Sequence, residues 1–364
     1  MDRERALRAI RLEPTDRVPH WESLTNPLFE QQVTGIDPWE HPQKARQRLL
    51  EVLPQDVGAA PVSDAPLERP EEDRLTFVEA DGRRSARWGA GRTWHWQWGE
   101  HFESIDDVLA YDPLDHMDQR DTGIVAEYDY RLGVQDLARK LQHAIDERRK
   151  ATGSRALVTG GFYNTLFMWP LLTFGWELFL ELGAAHPEKT EDLLSRFAER
   201  SRKIFQAYAL TDIEVVTSHD DICFAGGPVF NPAWLRRMIY PYYEEFWGIL
   251  RQAGKKVIFI CDGNVDGVAD DIFACGADGI RSEPLTDWRK IAERHPDKVL
   301  VGDGDNRIVA SSDRPAIFRM VREMTEWGKR HPGYFYCAGN HLPWNLPVEG
   351  ITHYFGASAK YGLR

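Results

Sequence analysis

The feature that most constrains the fold is a regular alternation of strand-like and helix-like segments from residue 156 onward. Short apolar runs, each long enough for one buried strand, are separated there by longer segments with the periodicity of helices. The predicted strands cover residues 156–161, 213–221, 256–261, 277–283, 299–305 and 333–337. This alternation is typical of parallel β/α architecture. It favours a closed (βα)8 barrel over an open doubly wound sheet, because the number of repeats approaches the eight that a barrel needs.

The first half of the chain carries further elements. Helices are predicted at residues 3–11 and about 42–53, and a short strand at 17–22 lies between them. Residues from about 61 to 120 are interpreted as an insertion that contains a β-hairpin, because this stretch is too short to bury a core of its own. We therefore predict an α/β fold in which residues 1–364 form one barrel domain with N-terminal helices and a hairpin insertion.

Charge and composition narrow the range of partners. The net charge is −12, with 57 acidic against 45 basic residues, so nucleic acid and anionic membrane surfaces would be repelled. The amino terminus is charged from its second residue, and no apolar run is long enough to cross a membrane. Four widely spaced cysteines without a C-x-x-C pair suit a reducing compartment. We expect a cytoplasmic protein that acts on a small molecule.

Polar or ionisable residues stand at the ends of the predicted strands. In a barrel the carboxyl ends of the strands meet at one mouth, which is where catalytic groups of such folds are found. The residues concerned are Glu22, His219, Asp220, Asp221, Cys261, Asp262, Glu283, Asp303, Asp305, Asn340 and His341. The candidate catalytic residues among them are Glu22, His219, Asp220 and His341.

Two of these strand ends carry carboxylates with alternative interpretations. Glu22 is flanked by Trp21 and Leu24, and an apolar setting raises the pKa of a carboxylate toward neutrality, which suits proton transfer. Alternatively, Glu22 is a surface residue beyond the strand. Asp220 and Asp221 point to opposite sides of their strand, so at most one faces the barrel centre while the other caps a backbone turn. Asp221 is a candidate for the cap, but the sequence does not decide between them.

Other residues are candidates for substrate contact. Asp303 and Asp305 are two positions apart and are expected to share one side, where two carboxylates would need a cation or a shared proton. Tryptophans at residues 94–98 suggest either an aromatic lid over the mouth or an ordinary hairpin that packs on the barrel. The predicted substrate contacts are Trp21, Trp94, Tyr163, Asp303 and Asn340.

Four segments together carry a family resemblance. They are residues 3–19, residues 218–243 with their Ser-His-Asp-Asp and Tyr-Pro-Tyr-Tyr motifs, residues 258–264 and residues 338–349. In this order they resemble the uroporphyrinogen decarboxylase superfamily over nearly the whole chain. The resemblance implies a TIM barrel enzyme with its site at the strand ends, and it suggests a homodimer.

The family has two broad chemistries, and the resemblance distinguishes between them. The decarboxylases carry an arginine-rich segment after the first strand that holds the substrate carboxylates, whereas residues 22–30 here contain no arginine. Porphyrinogen decarboxylation is therefore not expected. The chain resembles more closely the branch of methyltransferases that work with corrinoid proteins and thiols or folates.

A zinc site is the cofactor that this branch implies. It is made from a His-x-Cys pair and a later cysteine, and zinc there holds a thiolate nucleophile. This chain has Cys261 but carries Phe259 and Asn340 at the other two positions. A rearranged zinc site of His219, Cys261 and His341 is our hypothesis. The alternatives are that Cys261 is a small buried apolar residue and that His219 only supports its neighbours.

Three functions stay open from the sequence. The first is transfer of a methyl group to or from an acceptor. The methyl donor would be a small aromatic or apolar methylated substrate or a methyl-corrinoid. A corrinoid protein would be the partner, and a corrinoid or a folate would be the methyl carrier. The second is a metal-independent decarboxylase or lyase that acts on a small aromatic substrate and uses Glu22, His219 and His341 for proton transfer. The third is a barrel that binds a ligand without catalysis.

Overall fold

The structure is a computed structural model that describes residues 3–69, 76–78, 84–87, 93–95, 102–116, 128–153, 155–339 and 341–364. For the three short strands between residues 76 and 95, it describes the backbone alone. Two predicted substrate contacts are affected: Asn340 lies outside the described residues, and the side chain of Trp94 does so too. Their roles stay predictions.

Helices and strands alternate over most of the described chain. The helices are α1 Arg3–Ile10, α2 Pro27–Thr34, α3 Pro42–Val52, α4 Ile105–Ala110, α5 Val134–Thr152, α6 Met168–Phe174, α7 Trp176–Ala185, α8 Pro187–Ala209, α9 Pro232–Met238, α10 Tyr240–Gln252, α11 Ala269–Ala274, α12 Trp288–Arg294, α13 Asn306–Ala310, α14 Arg314–Gly328 and α15 Val348–Tyr361. The strands are β1 Thr76–Val78, β2 Arg84–Arg87, β3 Thr93–His95, β4 Gly160–Phe162, β5 Val215–His219, β6 Cys223–Phe224, β7 Gly227–Pro228, β8 Lys256–Ile260, β9 Gly279–Arg281, β10 Val299–Gly304 and β11 Tyr334–Ala338.

The main sheet is parallel and closes on itself. Its six strands pair in the order β4-β5-β8-β9-β10-β11. His20 forms a parallel bridge with Tyr336 of β11, and the carbonyl of His20 accepts a hydrogen bond from the amide of Val57 at 3.2 Å. Val57 in turn forms a parallel bridge with Leu157, just before β4. Two further strand-like segments therefore complete the circle of eight, which confirms the predicted (βα)8 barrel.

Apolar side chains that point inward fill the interior of the barrel. They are Trp21, Val57, Leu157, Val215, Ile258, Val299, Val301, Phe335 and Cys337. Ala6, Leu7 and Ile10 of α1 join the same cluster. Because Val215 and Val299 are the first residues of β5 and β10, α1 covers the amino-terminal end of the barrel. Access to the interior is left at the carboxyl end of the strands, as the sequence predicts.

Trp21 belongs to this packed interior. Its side chain is buried and stands edge-on to the ring of Phe335, with 5.8 Å between the ring centroids. A ring in the dry part of the barrel stabilises the fold by burying apolar area. The predicted contact between Trp21 and a substrate is therefore wrong.

The predicted hairpin is present in the insertion. Strand β1 pairs antiparallel with β2, and β2 pairs antiparallel with β3, so the three strands form a small separate sheet. The limits of the insertion and the single-domain assignment stay predictions. Among the described helices, none has both the length and the apolar character needed to cross a membrane.

Candidate active site at the carboxyl end of the barrel

Three ionisable side chains meet where β5 and β8 end. They are His219, Asp221 and Asp262, which we call the mouth cluster. The Nε2 atom of His219 lies 3.0 Å from Oδ1 of Asp221, and the same oxygen accepts a hydrogen bond from the backbone amide of Asp262 at 2.9 Å. One nitrogen or oxygen atom from each of the three side chains lies within 4.8 Å of the others.

Strand alternation explains why these residues face the barrel centre. Successive side chains of a strand point to opposite faces, and Val215 of β5 and Ile258 of β8 both point inward. Counting in steps of two from these residues reaches His219 and Asp221 on one strand and Asp262 on the other. The alternation in the sequence therefore indicates that Asp262 also faces the barrel centre, although Asp262 is not among the predicted catalytic or metal-binding residues.

The charges of the mouth cluster depend on one another. Burial lowers the pKa of His219, but Asp221 outweighs this effect, so the pKa is raised above its ordinary value. Burial raises the pKa of Asp221, yet the neighbouring His219 brings it below its usual range. Burial and the carboxylate of Asp221 raise the pKa of Asp262 to about 7. The positive charges of His219 and Arg281 both act in the opposite direction and favour the ionised form of Asp262.

Tyr163 forms an aromatic wall beside the mouth cluster. Its ring centroid is 4.2 Å from that of His219, with 56° between the ring planes. Burial, together with the nearby aspartates, raises the pKa of Tyr163, so its hydroxyl stays protonated near neutral pH. The structure places this predicted substrate contact at the mouth.

Asp220 points away from the mouth and holds the start of α6. Its fully buried carboxylate accepts hydrogen bonds from the backbone amides of Leu166, Phe167 and Met168 at 2.6–2.7 Å and from the hydroxyl of Tyr243 at 2.7 Å. Burial raises its pKa to about 7, while the four hydrogen bonds favour the ionised form. Asp220 is therefore the capping residue of the pair, and its predicted place among the catalytic groups at the mouth is wrong.

Glu22 is also turned away from the mouth. Its side chain is buried between the first strand segment and α15, where Oε1 accepts from the hydroxyl of Tyr354 at 2.6 Å and Oε2 from the amide of Ala338 at 2.9 Å. His20 Nδ1 lies 3.4 Å from the same Oε1. Neither a surface position nor proton transfer at the mouth fits this geometry, so both expectations for Glu22 are corrected. The alternation that points Trp21 inward directs the next side chain outward.

The bond between Tyr354 and Glu22 predicts a stability effect. Tyr354→Phe is expected to lower the free energy of unfolding by about 1–3 kcal/mol, because a buried carboxyl group loses a hydrogen-bond donor. Urea denaturation monitored by tryptophan fluorescence measures the change. Tyr361→Phe on the same helix is the matched control, since its partly exposed ring should change stability by less than about 0.5 kcal/mol. Equal effects of the two variants would contradict the structural role of Glu22.

The zinc set expected from the sequence is not brought together. Cys261 is buried outside the barrel wall, where its thiol donates to the carbonyl of Asp262 at 3.2 Å and lies beside Cys223. Burial raises the pKa of this thiol, so it is not prepared to be a thiolate. His341 stands elsewhere, with Nε2 bonded to the hydroxyl of Thr25. The hypothesis of a site made of His219, Cys261 and His341 is therefore wrong, because Cys261 faces outward.

A second group at the strand ends, which we call the basic side, is formed by Arg281, Ser23 and His341. Arg281 ends the strand next to β8, and its charge also acts on Asp262. Arg281 ends β9 with a nearly buried side chain that donates to the hydroxyl of Ser23 at 2.6 Å. Burial, with the charges of Arg281 and Arg46, lowers the pKa of His341 to about 4, so its ring is neutral at ordinary pH. Arg281 is not among the residues predicted from the sequence, although it lies two positions before Glu283 on the same predicted strand, which was a visible signal.

Asp303 and Asp305 do not form a pair. Asp303 has a positive φ of 81°, which breaks the alternation of β10, and its carboxylate accepts from the indole of Trp327 at 2.8 Å. Burial raises its pKa to about 6. Asp305 instead caps α13 through the amide of Arg307 at 2.8 Å and forms an ion pair with its guanidinium. The expected pair of carboxylates on one cavity, and the substrate contact at Asp303, are corrected.

A closed (βα)8 barrel with ionisable groups at its strand ends has the architecture of a barrel enzyme. The family model described as uroporphyrinogen decarboxylase (URO-D) matches residues 165–361. The chain belongs to this family, which confirms the resemblance seen in the sequence.

Comparison with solved structures concerns the fold. A methyltransferase from Methanosarcina mazei is 16% identical, with 99% of this chain and 98% of that chain covered at a TM-score of 0.62. A xylose isomerase-like TIM barrel protein from Mycobacterium smegmatis is 12% identical, with 60% and 79% covered and a TM-score of 0.34. A sugar phosphate isomerase/epimerase from Parabacteroides distasonis is 11% identical, with 72% and 90% covered and a TM-score of 0.37. No curated protein matches the sequence significantly. The likeness to the methyltransferase shows a shared fold, and the family assignment fits an enzyme.

Proposed function

We propose that the chain is a methyl-transfer enzyme that moves a methyl group between a small methylated substrate and an acceptor bound at the barrel mouth. The observation that carries this proposal is the acidic mouth cluster beside the aromatic ring of Tyr163. Two carboxylates in the mouth repel a substrate with many carboxylates, but they accept a neutral or cationic methyl donor. The absence of arginine from residues 22–30 supports the same choice.

The substrate would lie between the mouth cluster and the basic side. Tyr163 offers a flat apolar surface to a ring or methyl group. Further out, Phe224 of the short strand β6 and Leu285 of the segment that follows β9 present exposed apolar side chains. These loops would contact the methyl carrier, for which a corrinoid on a partner protein is our first choice and a folate the second. Residues that hold the donor in line with the acceptor accelerate transfer chiefly by orientation.

Methyl transfer to free cob(I)alamin tests the proposal. The purified protein is mixed with cob(I)alamin and a panel of methanol, methylamine, methanethiol and methoxybenzene, and methylcobalamin formation is monitored by visible absorbance. Asp221→Asn is expected to lower kcat/KM for the active donor by about 10–100-fold, because it removes a positioned charge from the mouth. Asp305→Asn, a strand-end carboxylate in an ion pair outside the mouth, should retain the activity. Transfer that is unaffected by Asp221→Asn would contradict the role of the cluster.

Arg281 favours a second candidate function. A nearly buried guanidinium that faces the barrel interior is suited to hold one carboxylate, which fits a decarboxylase or lyase for a small aromatic acid. The two candidates differ in product. Release of CO2 from benzoic or hydroxybenzoic acids, without methylation of cob(I)alamin by any donor of the panel, would replace methyl transfer by this function.

A further inference from the structure

We propose that the mouth cluster binds one divalent transition-metal ion through the imidazole of His219 and the carboxylates of Asp221 and Asp262. The site would be rich in oxygen ligands, in contrast to the thiolate zinc site that the methyltransferase resemblance implies. The proposal goes beyond the proposed function, because it holds whichever reaction takes place at the mouth. Metal binding is also measurable without any activity.

The distances within the cluster suit a single ion. With metal–ligand bonds of about 2.1 Å, two ligands at adjacent octahedral positions lie about 3 Å apart. Nε2 of His219 and Oδ1 of Asp221 are separated by 3.0 Å. Ligand atoms of all three residues lie within 4.8 Å of one another, so small side-chain rotations would bring Asp262 into the same coordination sphere.

The backbone around the cluster is held in place by hydrogen bonds. Asp221 accepts the amide of Asp262, which ties the end of β8 to the end of β5. The next amide, that of Gly263, donates to Oε2 of Glu283 at 2.9 Å. On the outer face, the carboxylate of Asp220 fixes the turn that follows β4. Supports of this kind orient metal ligands and reduce the ordering needed on binding.

The charge of the cluster points to a cation as its ligand. Two carboxylates converge in a partly buried space where water screens their mutual repulsion poorly. An ion of charge +2 between them would remove this repulsion. About 15% of the His219 side chain and 17% of the Asp221 side chain are exposed, so an ion can reach the cluster from solvent.

The types of the three ligands, and the fact that the nearby thiols do not join them, identify the class of metal. One imidazole nitrogen and two carboxylates suit Mn²⁺, Fe²⁺ or Zn²⁺, and they leave coordination positions for water or substrate. Thiolate ligation is excluded by geometry for Cys261, which faces away from the cluster. The thiol of Cys337 faces the interior, but it donates to the carbonyl of Gly339, and burial raises its pKa to about 12.

Titration of the chelator-treated protein with Mn²⁺ tests the proposal. The electron paramagnetic resonance signal of free Mn²⁺ reports binding, and one ion per chain is expected. Asp221→Asn and Asp262→Asn should each weaken the affinity at least about tenfold, because each removes an anionic ligand. Asp303→Asn and Cys261→Ser are the controls and should stay within about twofold of the wild type. Zn²⁺ should displace Mn²⁺ one for one, as its position in the Irving–Williams order requires.

Each outcome bears on the proposal. Circular dichroism and thermal unfolding first establish that the variants fold, and His219→Gln replaces any aspartate variant that does not. The proposal fails if wild-type protein binds no Mn²⁺ or Zn²⁺, if the aspartate variants bind as the controls do, or if Cys261→Ser abolishes zinc binding. A protein that binds the ion but transfers no methyl group overturns the proposed function alone, so the two failures are distinguishable.

Discussion

Asp220→Ala is expected to lower the free energy of unfolding by about 3–5 kcal/mol. The substitution leaves three backbone amides at the start of α6 and the hydroxyl of Tyr243 without their buried acceptor. An unsatisfied buried donor costs about 1–3 kcal/mol, and relief of the buried charge offsets part of the sum. Asp220 is thus a residue that acts by positioning the strand end from which the mouth cluster projects.

Guanidinium chloride denaturation at pH 8 measures this effect. Asp313→Ala is the control, because Asp313 caps α14 through the amide of Ala316 at an exposed position. Loss of an exposed cap costs about 1 kcal/mol. If Asp220→Ala were no more destabilising than Asp313→Ala, the carboxylate would not support the structure in the way its hydrogen bonds indicate.

A second large effect is expected from pH at His341. The pKa of His341 is lowered in the folded protein to about 4, whereas an unfolded histidine titrates near its model value of 6.5. Between these pH values the unfolded chain takes up a proton that the folded chain does not, so stability is lost as the pH falls. We expect this one group to reduce the free energy of unfolding by about 2–3 kcal/mol between pH 7 and pH 4.

Comparison with a variant isolates the contribution of His341. Chelator-treated wild type and His341→Gln are unfolded by urea at a series of pH values, and the difference in stability between them should shrink by about 2–3 kcal/mol toward pH 4. His143→Gln is the control, because His143 is exposed on α5. A difference between wild type and His341→Gln that is independent of pH would show that the ring does not titrate abnormally.

The sequence by itself determined the architecture. Repeated apolar strands and amphipathic helices predicted the (βα)8 barrel. The spacing of apolar residues that marks a strand or a helix is visible within a short stretch of sequence. It also determined that His219 stands at the end of a strand and that Tyr163 follows one, and hence that both lie near the carboxyl end of the barrel. The family resemblance rests on the same local information.

Only the tertiary structure decided which side of the barrel wall each polar residue faces. Glu22 and Asp220 turned outward, Cys261 joined the outer core, and Asp303 left the alternation through its positive φ. Side chains of a strand alternate between the inner and outer face, so a shift of one residue reverses the direction of each of them. Polar residues at a strand end do not reveal which of the two alternations applies. The partners that satisfy these groups, such as Tyr354 for Glu22, lie hundreds of residues away in the chain. The active-site part of the prediction changed for this reason, while the barrel part did not.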